Sequence, residues 1–392
     1  MMTDTRSSKE ILQETLQSVR NLLGMQVAFV SEFADGRRVF RYVDAEPGSI
    51  ELPVGGSDPL EESYCQRVVD GRLPELIRDA RKLPEALALP VTEALPVGAH
   101  LSVPIVFSDG RVYGTFCCFS TRPDESLNDR DIRTMRLFAD VTRGILERQV
   151  VEERAHDETV ARIRDVLEHE QFSIVYQPIF RVAESAVVGY EALARFSGEP
   201  VRTPDKWFNE AGEVGLQTEL ELAAIRKALQ GLQRLQVECY LSLNISPQTV
   251  VRGSVDGVFD GFPLDRLVLE VTEHASVADY ETLEGVLRPL RSRGLRLAID
   301  DAGAGYSSFR HILRLKPDII KLDMSLIQKI DSDPGSQALA VALIWFANET
   351  GSKVVAEGVE TEAELRTLQR LRVNKAQGFL LGRPQPLDAL LH

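Results

Sequence analysis

The sequence predicts an α/β fold in which a (β/α)8 barrel follows an α+β domain and a long connecting helix. Three observations carry this. From about residue 172 onward, eight strand-like segments alternate with stretches of helical period, the spacing of a strand–loop–helix–loop unit. Most of those segments end on a metal-capable or charged side chain: Glu191, Asn244, Glu270, the pair Asp300–Asp301, Lys321, Glu357 and Gln377. Ahead of them lie short strands joined by Asp-Gly at Asp35–Gly36 and Asp109–Gly110, which is hairpin chemistry because glycine accepts positive φ cheaply.

The first element is an amphipathic helix over Ser8–Met25, with Leu12, Leu16, Val19 and Leu23 on one stripe. Strand signals follow at Gln26–Phe33, Arg38–Val43, His100–Phe107 and Arg111–Phe119, giving an antiparallel α+β domain over residues 8–148. Cys117 and Cys118 are neighbours in a strand and so point to opposite faces, while His100 reads as a satisfied sheet histidine. Residues 128–169 stay helix-compatible, with one apolar seam of Phe138, Val141 and Ile145 and a second of Val160, Ile163 and Leu167. Those seams either pair across a dimer axis or pack each on its own domain.

Barrel strands are expected at Ser173–Ile179, Val187–Arg195, Cys239–Ile245, Leu267–Thr272, Leu295–Asp300, Ile319–Leu322, Val354–Ala356 and Gly378–Leu381. Helices fall between them, for example over Glu219–Arg234, Tyr280–Arg293, Gln337–Asn348 and Glu362–Arg370. The connection Val182–Ala186 is too short for a helical crossover, so the first strand pair is antiparallel and the barrel is a modified TIM (β/α)8 barrel.

At 392 residues the chain can hold two cores, and its net charge of −14 argues against binding DNA or RNA over the whole surface. The first ten residues contain no apolar secretory core, and the longest apolar run, Ala338 to Ala347, is far short of a membrane span. Cys65, Cys117, Cys118 and Cys239 lack zinc-knuckle spacing and read as reduced, buried thiols of a cytoplasmic protein.

Carboxylates gathered at one barrel mouth need a cation, so the strand ends describe a divalent-metal site. Each residue also has a plainer role open to it. Asn244 could cap the helix that follows Ser246 and Pro247, Lys321 or Arg195 could be an ion-pair partner, and Glu357 a surface acid. His274 and His311 carry no assigned chemistry.

The motifs YQPI (Tyr176–Ile179), EALAR (Glu191–Arg195), LNIS (Leu243–Ser246), LEVTE (Leu269–Glu273), AIDDAGAGYSS (Ala298–Ser308), IIKLD (Ile319–Asp323), AEGVET (Ala356–Thr361) and QGFLLGRP (Gln377–Pro384) occur in order. In these the region 160–392 resembles an EAL-domain cyclic di-GMP phosphodiesterase. Residues 8–148 resemble a GAF-like sensory domain through MQVAFVSEF, SYCQRVVDGRLPELIRDA, HLSVPIVFSDGRVYGTFCCFS and NDRDIRTMRLFADVTRGI. The resemblance implies hydrolysis of cyclic di-GMP to linear pGpG with two Mg²⁺ or Mn²⁺ ions, tuned by the sensor in a homodimer. Glu191, Asn244, Glu270 and Asp300 match the first metal's ligands, and Asp301 with Glu357 a second ion bridged by Asp300.

Lys321 matches the lysine beside the attacking water, and Asp301 could orient that water or take its proton. Gln177 and Arg195 match substrate-holding positions, Gln377 a polar supporter of the site, and Glu273 the glutamate that steadies the loop after Asp301. Two positions depart from the family: Ala302 replaces the usual phenylalanine and Gly212 a common glutamate, which bears on turnover and dimer coupling. A cyclic di-GMP receptor of weak catalysis, or an interaction module without nucleotide, are the competing readings. No cyclase motif of GGDEF type occurs, and the residues name no ligand for the sensory domain.

Overall fold

The computed structural model describes residues 7–253, 255–272, 279–302 and 307–390. Two compact units divide the chain, Met1–Ala155 and His156–His392, and the 40-residue helix Asp129–Glu168 runs through their boundary.

In the first unit six antiparallel strands, β1 (Val27–Ala34), β2 (Arg37–Ala45), β3 (Ser57–Pro59), β4 (Leu76–Ile77), β5 (Ala99–Val106) and β6 (Val112–Ser120), form a sheet of order β3-β2-β1-β6-β5-β4. Asp35 and Gly36 both take positive φ, 50° and 71°, the two-residue turn that matches the twist of β1 and β2. Period-two alternation divides the core. Ala28, Val30, Phe116 and Cys118 face the helix Ser8–Leu23 and the start of Asp129–Glu168, whereas Val27, Phe29, Cys117 and Phe119 face Tyr64, Cys65 and Ile77. Cys117 and Cys118 do separate to the two faces, and all four cysteines are free and buried.

His100 departs from expectation. Its ring lies 4.7 Å from Tyr64, but Nδ1 is buried with no hydrogen-bond partner. Burial, and then the nearby Arg38 guanidinium, push its pKa down to about 3. A histidine depressed below its unfolded value stabilises the fold fully above that value, near 6.5, and the contribution is lost as pH falls towards 3. Hydrogen-exchange protection of β5 and β6, corrected for intrinsic rate, is therefore expected to fall with acidification by up to about 1.4 kcal/mol per pH unit below pH 6. His100→Phe should flatten that slope; equal slopes in the two proteins would assign the acid sensitivity elsewhere.

The second unit is a closed barrel of eight strands: β7 (Phe172–Arg181), β8 (Ala186–Phe196), β9 (Tyr240–Asn244), β10 (Leu267–Thr272), β11 (Arg296–Ala302), β12 (Ile319–Leu322), β13 (Lys353–Ala356) and β14 (Lys375–Ala376). Strand β7 runs antiparallel to both neighbours, β8 and β14, and every other pairing is parallel, as the short Val182–Ala186 connection predicts. The eighth strand is Lys375–Ala376 rather than Gly378–Leu381. Leu380 and Leu381 instead pack against the core from a turn, so Gln377 directly follows its strand, as Glu357 follows β13.

Four of the six seam residues, Phe138, Ile145, Ile163 and Leu167, pack within their own units. Phe138 and Ile145 lie against the first core, and Ile163 packs with Phe172, Trp207 and Leu220. Leu137, Val141 and Val151 of that helix remain exposed. No helix among the described residues is long and apolar enough to cross a membrane.

Candidate active site

Four parallel strands, β9 to β12, carry Asn244, Glu270, Asp300 and Lys321 at or near their C-terminal ends, and Glu357 directly follows β13. Register places Glu270 beside Asn244 and Ala298, Thr272 beside Asp300, and Lys321 beside Val355, so site residues on neighbouring strands are staggered by no more than two positions. Glu191 lies within β8, paired with Gln177 across the antiparallel ladder and with Ser242 across the parallel one.

At the centre stands the Lys321 ammonium. Its Nζ is 2.6 Å from Glu270 Oε2, 2.6 Å from Glu357 Oε1, 3.1 Å from Asp300 Oδ1 and 3.8 Å from Glu191 Oε1. Lys321 is 1% exposed, so this charge has no solvent to rely on and is held by the carboxylates around it. Their pull outweighs burial and lifts the lysine well above its ordinary range. It remains cationic at every physiological pH.

One ammonium does not balance that many acids. Burial first, and then the Glu191 and Asp300 charges, push Glu270 up to about 8 despite Lys321. Burial likewise raises Glu357 well above the carboxylate range. Glu191 goes the other way: burial opposes its ionisation, but Lys321 and the amides of Gln377 and Asn244 more than offset it. Asn244 Nδ2 donates to Glu191 Oε1 at 2.9 Å, and Gln377 Nε2 donates to Glu191 Oε2 at 2.6 Å. Gln377 Nε2 also donates to Gln177 Oε1 at 2.9 Å, while Gln177 Nε2 donates to the Gly382 carbonyl at 3.1 Å.

Asn244 is released from helix capping by its neighbour. Ser246 is the N-cap of helix Pro247–Arg252, its hydroxyl accepting from Thr249 N, which leaves the Asn244 amide to Glu191.

Adjacent residues on a strand face opposite ways, so Asp300 and Asp301 could not share a site on a regular β11. The strand is irregular there: pairing with β12 slips between Ile299 and Ala302, and Asp301 takes φ 57°. A non-glycine residue in the left-handed region is costly and persists where the surroundings hold it. Its effect is to bring oxygens of Asp300, Asp301 and Glu357 within 4.8 Å of one another. Asp301 N also donates to Asp300 Oδ1 at 3.0 Å. Hard oxygen donors with excess negative charge are what Mg²⁺ or Mn²⁺ requires, so the residues fit such ions.

The cluster opens on a cleft of about 280 Å³ lined in part by Gln177, Glu191, Asp301, Glu357, Gln377 and the half-exposed Phe379. Arg195 is not among that lining. It is exposed, donates to the Ala194 carbonyl at 2.8 Å, and borders a second cleft of about 310 Å³ with Asn244 and Phe208; Leu193 lines both. Glu273 and His274 lie outside the described residues. His311 is buried beside Tyr280 Oη, 3.0 Å from its Nδ1. Ala302 is fully buried in the barrel core opposite Leu322.

Sequence reasoning passed over Ser242, whose hydroxyl donates to Glu270 Oε1. Its signal was available: Ser242 lies two residues before Asn244 on the same face of β9.

Residues 160–384 match the family described as EAL domain, and residues 5–147 one described as GAF domain. The bifunctional diguanylate cyclase/cyclic di-GMP phosphodiesterase MucR of Pseudomonas aeruginosa is 32% identical over 241 residues, 58% of this chain and 35% of that protein. Cyclic di-GMP phosphodiesterase NbdA of the same organism is 34% identical over 240 residues, 58% of this chain and 31% of that protein. The chain thus spans about a third of the length of the curated relatives it matches. Among solved structures, the MucR phosphodiesterase in its c-di-GMP complex aligns with TM-score 0.54 at 30% identity, covering 59% of this chain and 99% of that one. The EAL enzyme Bd1971 bound to cAMP and cyclic di-GMP has TM-score 0.58 at 19% identity over 94% of this chain and 92% of that one, a likeness of fold alone.

Proposed function

The chain belongs to the EAL-domain family, with a GAF domain ahead of it, and on that premise we propose that it hydrolyses cyclic di-GMP to linear pGpG with divalent metal. The observation that carries the reading is the convergence of Glu191, Glu270, Asp300 and Glu357 on Lys321, with Asp301 drawn in by the irregular strand.

Glu191, Asn244, Glu270 and Asp300 would hold one Mg²⁺ or Mn²⁺, and Asp300, Asp301 and Glu357 a second. When bound, such ions supply a nucleophilic water at neutral pH and relieve charge on the phosphate. The chain's own residues do the rest. Lys321 adds a fixed positive potential at the reacting phosphate, where solvent is excluded. Asp301 borders the cleft and can take the proton released as water attacks. Gln377 and Asn244 keep Glu191 ionised and aimed, while Gln177 presents an amide to the substrate. Phe379 offers an exposed ring on which a guanine can stack. Arg195, in the adjoining cleft, can grip a phosphate through its fork of donors.

We infer that the sensory unit tunes this reaction in a cytoplasmic homodimer. Free buried thiols suit a reducing compartment, and Leu137, Val141 and Val151 give the long helix apolar residues to cover. The purified 392-residue chain with Mg²⁺ or Mn²⁺ is expected to convert cyclic di-GMP to pGpG, to stop on chelation, and to elute as a dimer from a sizing column. Absence of product with either ion would remove the hydrolase reading, and a monomer of undiminished turnover the dimer. Tight nucleotide binding beside zero turnover would favour the receptor reading instead.

A further inference from the structure

The end of the barrel opposite Lys321 carries a second charged cavity, of the other sign. Lys353 and Lys375 open β13 and β14, and Arg181 closes the antiparallel β7, so the three meet at the strands' N-terminal end. With Arg372 they line a cavity of about 470 Å³ that has no carboxylate among its described lining. Arg181 has an acidic partner, Glu184 at 2.7 Å; among the described residues Lys353, Arg372 and Lys375 have none.

On the inner wall Lys375 meets a tyrosine rather than a carboxylate. Lys375 Nζ donates to Tyr240 Oη at 3.1 Å and stands 4.2 Å from the centre of that ring, whose neighbourhood also holds the Arg296 guanidinium at 4.6 Å. Arg296 Nε is buried with no hydrogen-bond partner. Gly189 leaves room for the ring, since a Cβ there would lie 2.7 Å from it, and the ring closes this end of the barrel interior. Burial first, then Arg296, Arg181 and Lys353, push Lys375 down to about 8, which reflects an uncompensated cluster of cations.

We propose that this cavity is a binding site for a phosphate-bearing anion of nucleotide size or smaller, separate from the catalytic mouth. Three of these convergent cations lack a carboxylate and are relieved by an anion, and Arg372 presents a planar donor fork suited to phosphate oxygens. The cavity exceeds an inorganic phosphate in size, and its apolar walls at Val182 and Val373 can take the organic part of a phosphate ester.

The test is calorimetry on the 392-residue chain in chelator, where the carboxylate mouth repels anions, with pyrophosphate and AMP as separate probes. Saturable binding of either is expected at sub-millimolar concentration, weakened about tenfold or more by Arg372→Ala and by Lys353→Ala. Both side chains are exposed, so those variants leave the barrel intact, whereas Lys375→Met also touches Tyr240. Binding of pyrophosphate alone would define an inorganic anion site, and binding of AMP a phosphate-ester site. No saturable heat up to about 10 mM, or affinity unchanged in both exposed variants, would overturn the proposal.

Discussion

Replacing Glu191 with glutamine is expected to lower cyclic di-GMP turnover by on the order of 10³-fold while leaving the protein folded. Glutamine keeps the shape and removes the charge. Both Glu191 oxygens accept amide donors, from Asn244 and Gln377, and the same carboxylate stands 3.8 Å from Lys321. The variant would turn an N–H towards one of those donors and take negative charge from the cluster that must hold a cation. Thermal melting should move by only a few degrees, because the lost hydrogen bond is worth about 1–2 kcal/mol. Single-turnover rates and nucleotide affinity measured on one preparation separate chemistry from binding. Affinity within a few-fold of the parent beside the large rate loss supports the assignment; turnover within about tenfold of the parent would remove Glu191 from the chemistry.

Much of this site is legible in the sequence because a barrel converts strand ends into neighbours. Glu191, Asn244, Glu270, Asp300, Lys321, Glu357 and Gln377 are scattered over nearly 190 residues, yet each lies in or just beyond a strand of the closed sheet. The antiparallel first pair was equally readable, since a four- or five-residue connection cannot carry a crossover. What escaped has physical reasons. β14 is two residues long and includes a lysine, so the apolar Gly378–Leu381 run nearby looks more like a strand than the real one does. The slip at Asp301 breaks the alternation on which sequence reading depends, and nothing in the letters announces it. Sequence also implied that a metal must neutralise the acids. In space the first neutralising charge is Lys321 itself, and the demand for metal comes from the remainder.

That division of labour makes Lys321→Met the most informative substitution for stability. Methionine fills the volume but leaves Glu270, Glu357 and Asp300 around an apolar chain, and removing one partner from a buried ion cluster costs about 3–5 kcal/mol. The sign with pH follows from the raised carboxyls. Glu270, at about 8, holds a proton in the folded protein that it has released in the unfolded chain above the ordinary carboxylate range, so its effect is stabilising at low pH and fades as pH rises towards 8. Losing the ammonium raises these carboxyls further. The variant should therefore melt roughly 10 °C below the parent at pH 8 in chelator, with the gap closing towards pH 5 as the carboxyls take protons. Divalent metal should restore more stability to the variant than to the parent at pH 8, and turnover should fall by about 10²-fold or more even in saturating metal, since the fixed charge at the phosphate is gone. Lys321→Arg tests whether position or charge alone matters. A melting gap that stays constant from pH 5 to pH 8 would show that Lys321 does not compensate these acids, and full turnover in Lys321→Met would show that the reacting phosphate never feels its charge.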